Sequence, residues 1–165
     1  MAQEIPGTAV MDTGPIKEML IKHEGLKLRP YLCTAGKLTI GVGRNLTDTG
    51  ISLDEAMTLL ENDIARVIKE LENGFPWFPG LDPVRKEALV DMCFNLGFPR
   101  FFKFKMMIDA LRQGDFESAS REMLESRWAL QVGKRADTLS KMIKTGERQA
   151  HLSAPYPHPE TLTDF

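Results

Sequence analysis

The chain has 165 residues and a mass of 18.6 kDa, enough for one hydrophobic core of useful extent. Hydrophobic residues at 42% and charged residues at 27% exclude a disordered or fibrous chain. The 21 Lys and Arg against 23 Asp and Glu leave a formal charge of −2, which argues against a dedicated nucleic-acid binder, and no run approaches the roughly 18 apolar residues of a membrane span.

The opening Met1-Ala2-Gln3-Glu4-Ile5-Pro6-Gly7 has neither the basic nor the apolar region of a secretory signal peptide, so synthesis in a cytoplasm without export by the general route is expected. Residues 1 to about 12 read as an extended arm. A first helix is predicted after Thr13, with Pro15 in its first turn. Its apolar positions Ile16, Met19 and Leu20, with His23 one turn on, share a face that is expected to be buried. Gly25 should end it, leaving Glu24 as its last side chain. From Lys27 to Arg44 the period becomes two: Leu38, Ile40 and Val42 alternate with Thr39, Gly41 and Gly43, after a hairpin turn at 34–37. The three glycines from Gly36 to Gly43 leave this strand face nearly bare, which marks either a bulged or strongly twisted edge hairpin or the close approach of another backbone or a ligand.

The remainder is helical. Ser52 followed by Glu55 is a capping box, opening a helix whose apolar stripe includes Leu60, Ile64, Val67 and Leu71 and which Gly74 closes. Two prolines and a glycine interrupt residues 75–81. Asp82-Pro83 starts a helix running to about Asn95, with Gly97 as its stop. Further helices are predicted near 101–113, from Asp115 to about Glu125, around 127–131 and over 134–145, followed by a proline-rich, extended tail. The expected architecture is α+β and predominantly α. One domain spans 1–165, with a small β-hairpin lobe over about 14–60 and a long connecting helix over about 52–73. A helical bundle follows over about 74–150, then the tail over about 151–165. Two such lobes would leave a cleft between them, a preferred place for ligands.

Cys33 and Cys93 are too few for a disulfide framework and fit no zinc spacing, so free thiols are expected. Cys93, beside Met92 and Phe94, reads as a small buried hydrophobe. His23, His151 and His158 form no ligand set, and nothing requires a metal or another cofactor. Trp128 reads as packing rather than as a ligand-stacking platform, and Phe101, Phe102, Phe104, Met106 and Met107 as core or inter-helix contacts. The segment from His23 to Gly43 holds the chemistry: a carboxylic acid at a helix end, a thiol nine positions later, and a hydroxyl six beyond that.

This segment resembles glycoside hydrolase family 24, the phage-type lysozymes or endolysins, marked by Glu, eight residues, Asp or Cys, five residues, Thr. Glu24, Cys33 and Thr39 fit the spacing, within Glu-Gly-Leu and Gly-Lys-Leu-Thr-Ile-Gly-Val-Gly. The blocks 88–97 and Ser126-Arg127-Trp128, Gln131 and Lys134-Arg135-Ala136 extend the likeness over residues 14 to 150. It implies a two-lobed lysozyme-like fold and hydrolysis of the β-1,4 bond between N-acetylmuramic acid and N-acetylglucosamine in peptidoglycan. Glycoside hydrolysis takes one acid for the leaving oxygen and a second group for the oxocarbenium-like centre. Glu24 is the implied acid, which demands a desolvated setting to keep it protonated near neutral pH. By similarity Arg135 lies near it and serves as a positioning or substrate-binding partner, because a close cation would favour the ionised form.

Cys33 stands where Asp is commoner. Placing or deprotonating an attacking water, with inversion, is the expected role; direct attack by sulfur or packing alone are the alternatives. Thr39 is the implied second water-holder, and Asn95 and Gln131 are weaker candidates for sugar contacts, helix capping being the other reading of Asn95.

The implied partners are peptidoglycan glycan strands and a holin-type pore that would let a cytoplasmic enzyme reach the wall once the inner membrane opens. The chain is expected to be a monomer that neither binds nucleic acid nor inserts stably into a membrane. Three other readings stand beside this one. A cysteine amidase or peptidase would use Cys33 with His23; a non-enzymatic helical module would bind through Arg100, Lys103 and Lys105; a lytic transglycosylase would leave an anhydro-sugar.

Overall fold

A computed structural model describes residues 12–153; the expectations for the arm through residue 11 and for the tail from residue 154 lie outside them. The described chain is mostly helical with a small antiparallel sheet, as expected for the α+β class. It falls into two compact units divided between Glu55 and Ala56.

In the first unit, α1 (Gly14–Glu24) ends where expected: Gly25 takes φ 77° and its N–H donates to Ile21 O. The expectation of a buried face on α1 fails. Ile16 is half-buried, while Met19, Leu20 and His23 are exposed. This unit is too small to enclose a core, and Thr39 is its sole buried residue among those described.

Three strands follow, β1 (Lys27–Leu32), β2 (Leu38–Gly41) and β3 (Arg44–Asn45), paired antiparallel in the order β1-β2-β3. Leu32 opposes Leu38 and Tyr31 opposes Thr39. The tight connection at residues 34–37 is closed by Gly36 N–H donating to Cys33 O at 2.8 Å. The expected hairpin thus gains a third strand, because Gly41 and Gly43, at φ 66° and 72°, turn the chain back on itself.

The capping box forms as read. Ser52 Oγ accepts the Glu55 N–H at 3.2 Å and Glu55 accepts the Ser52 N–H at 2.7 Å, opening α2 (Leu53–Gly74). Both nitrogens of the Arg44 fork also reach Glu55, at 3.0 and 2.8 Å, so one carboxylate serves the helix start and the sheet. At the far end of α2 a Cβ on Gly74 would collide with the Phe98 ring.

The second unit continues with α3 (Pro83–Leu96), α4 (Phe98–Phe101), α5 (Lys105–Gln113), α6 (Phe116–Leu124), α7 (Arg127–Val132) and α8 (Lys134–Thr145). Single 3-10 turns lie at Phe78–Gly80 and Ala150–Ser153, the latter taking in residues assigned above to the tail. Leu71, Leu89, Met92, Cys93, Phe101 and Ile143 are fully buried in one core. Arg85 locks three helices together. It donates to Asp82 at 2.8 Å, to the carbonyls of Ile143 and Lys144 at the end of α8 at 2.7 and 3.1 Å, and stacks 3.7 Å over the Phe116 ring. The helix expected near 101–113 is two helices, because Phe104 adopts φ −78°, ψ 57° and interrupts the ladder. Phe101 and Met107 are core and Phe104 is half-buried, but Phe102 and Met106 are exposed, so only part of that cluster packs.

Candidate active site

Glu24 is carried at the last position of α1, and its side chain comes up against the turn after β2. A Cβ placed on Gly43 would stand 3.3 Å from Glu24 Oε2 and 3.6 Å from its Cγ. Gly43 thus makes room for a side chain of this chain rather than for the backbone or ligand expected, while nothing lies within 4 Å of a Cβ on Gly36 or Gly41.

Cys33 and Thr39 are brought together by a single peptide group. The Lys37 carbonyl accepts the Cys33 N–H at 3.0 Å and the Thr39 hydroxyl at 3.0 Å. Cys33 is half-buried, and the backbone amides of Lys37 and Ala35 lie where they bear on its thiol. Those amides, Lys37 first, pull the thiol below its ordinary pKa, because N–H donors stabilise a thiolate. Thr39 is 3% exposed, and with its one proton given to Lys37 O its oxygen keeps lone pairs that can accept from a water. Among the described residues no histidine takes part in this set, and His23 is exposed.

The other candidates lie in the second unit. Arg135 Nε donates to Asp91 Oδ1 at 2.7 Å and a terminal nitrogen donates to the Asp91 carbonyl at 3.2 Å, tying α8 to α3. Asn95 is neither a cap nor free: its Oδ1 accepts the indole N–H of the buried Trp128 at 2.8 Å, which confirms Trp128 as packing. Gln131 is exposed on α7. Arg135 and Asp91 edge a groove of about 510 Å³ that sets the charged Glu72, Lys86 and Glu87 beside the apolar Leu60, Ile64, Ile68 and Phe94. Among the described residues no three His, Cys, Asp or Glu side chains gather as a metal group, and no helix is long and apolar enough to cross a membrane.

The family model described as phage lysozyme matches residues 21–147, a span holding Glu24, Cys33, Thr39 and both arms of the Arg135–Asp91 pair. The chain belongs to the phage lysozyme family. Its relatives include an endolysin of Acyrthosiphon pisum secondary endosymbiont phage 1, 32% identical over 80% of this chain and 88% of that protein. A probable T4-type lysozyme of Dictyostelium discoideum is 27% identical over 82% of this chain and 97% of its own length. The pre-baseplate central spike protein of Enterobacteria phage T4 is 32% identical over 81% of this chain, which spans 28% of that larger protein. This is the family of a lysozyme-type hydrolase.

The sequence does not single out the Lys37 carbonyl, because a backbone atom carries no residue signature. Asp91 sits within a block that matched the family, yet nothing in its own context marks it as the partner of Arg135.

Proposed function

We propose that this phage lysozyme is an endolysin that hydrolyses the β-1,4 bond between N-acetylmuramic acid and N-acetylglucosamine, with inversion at the anomeric carbon. The observation that carries the reading is the Lys37 carbonyl, which accepts both the Cys33 N–H and the buried Thr39 hydroxyl and so draws together two residues of the Glu24, Cys33, Thr39 spacing. Glu24 delivers its proton to the leaving oxygen as the bond from carbon to that oxygen breaks. A water held between Thr39 and Cys33 attacks the anomeric carbon and gives up a proton to the Cys33 thiolate, which the amides of Lys37 and Ala35 favour. Asn95, Gln131 and Arg135 bind or orient the glycan, Asn95 through its amide nitrogen, since its oxygen is taken by Trp128. The enzyme is a single catalytic domain acting as a monomer. It waits in the host cytoplasm until a holin-type pore opens the inner membrane, then lyses the cell.

The experiment digests purified peptidoglycan and follows the soluble fragments by mass and the anomer first formed by NMR. New reducing ends of the inverted anomer, lost in Glu24→Gln, are expected. Anhydro-sugars would make it a transglycosylase, new amino groups an amidase, and the retained anomer would assign sulfur the nucleophile's role.

A further inference from the structure

We infer that Thr47, in the loop after β3, is a positioning residue for the Cys33–Thr39 pair. The inference rests on the hydrolase reading above for its functional meaning, but its geometry stands alone. The peptide joining Lys37 to Leu38 is a rigid plane. Its carbonyl accepts from Cys33 N–H and Thr39 Oγ1, each at 3.0 Å. The N–H of that same plane, on Leu38, donates to Thr47 Oγ1 at 2.9 Å. Cys33 and Thr39 thus hang from one side of the plane and Thr47 holds the other.

Other bonds of the loop fix Thr47 itself. Leu46 N–H donates to Leu38 O at 2.7 Å. Asn45 and Asp48 clasp each other, with Asn45 Nδ2 donating to Asp48 at 2.8 Å and Asp48 N–H donating to Asn45 Oδ1 at 3.0 Å. Lys37 Nζ reaches Asp48 at 2.9 Å, a second tie between the same two segments. At the end of the β2–β3 ladder a side-chain hydroxyl does what a backbone carbonyl would do further along the strand. Without it the Leu38 N–H turns to water and the plane is free to rock, moving the sulfur and the hydroxyl together.

Thr47 is exposed, so removing its hydroxyl should leave the fold intact. Thr47→Val keeps the shape and β preference and deletes the acceptor; Thr47→Ser restores it. The expected result is a kcat roughly tenfold lower in Thr47→Val with KM and melting temperature unchanged, and recovery in Thr47→Ser. A second readout needs no glycan: the pH profile of Cys33 alkylation by iodoacetamide, which should shift in Thr47→Val and return in Thr47→Ser. A wild-type alkylation profile in Thr47→Val overturns the inference. An altered profile in a protein that releases no saccharide from peptidoglycan leaves the positioning standing and sinks the hydrolase reading instead.

Discussion

The carboxylate of Glu24 rests on Gly43, a residue of the β2–β3 turn with no side chain to push it away: a Cβ there would lie 3.3 Å from Oε2. Gly43 also has φ 72°, a left-handed conformation that favours glycine. Gly43→Ala should therefore lose about 1 kcal/mol of stability from backbone strain. Activity should fall further than that, by roughly tenfold or more, because the methyl group displaces the acid. Steady-state kinetics beside thermal melting separates the two. A loss of activity no larger than the loss of folded protein would show that the contact is incidental.

The two thiols should differ sharply in reactivity. Backbone amides of Lys37 and Ala35 lower the pKa of Cys33, whereas burial, with the Glu70 carboxylate adding to it, pushes Cys93 up to about 11. Iodoacetamide at about pH 8 should label Cys33 alone in the native protein and both residues after denaturation. Peptide mapping reads the sites directly, and native labelling of Cys93 would refute the difference.

Asn95→Ala removes the acceptor of the Trp128 indole N–H, whose ring is 4% exposed. The orphaned donor should cost about 1–2 kcal/mol in chemical denaturation. A glycan contact through the Asn95 amide nitrogen would add a rise in KM to that loss. A normal KM in the destabilised variant would confine Asn95 to holding Trp128.

Glu55 gives the stability an acid-sensitive component. The Ser52 N–H first, and then Arg44, hold its carboxyl below the ordinary glutamate pKa. A lowered pKa stabilises the fold above the unfolded value, about 4.3, and that contribution is lost as pH falls through the folded one. Glu55→Gln should melt below the wild type near neutral pH, with the gap closing on acidification below about pH 4. A gap that stays constant with pH would mean that the charge on Glu55 contributes nothing.

Much of this was legible from residues because local chemistry wrote it. The Ser52–Glu55 box, Asp82 before Pro83, and the glycines after Glu24 and Leu96 each announce a helix end through their own side chain or lack of one. Glu24, Cys33 and Thr39 were legible as a spacing, but what joins two of them is the carbonyl of Lys37, which any residue at that position would supply. The two-residue β3 is too short for period two to register. The Asn95–Trp128 bond spans 33 residues and could be seen only once α3 and α7 were folded. The apolar stripe of α1 misled, because periodicity reports which residues share a face and says nothing of whether that face is covered within its own unit.

The glycine that closes α2 makes its last turn hostage to an aromatic side chain some two dozen positions downstream. Transplanting that helix into another scaffold would have to bring the Phe98 ring as well, or the recipient would be left with a hollow where the donor had a floor. Enlarging Gly74 while trimming Phe98 in one step is the swap that such a paired fit should tolerate.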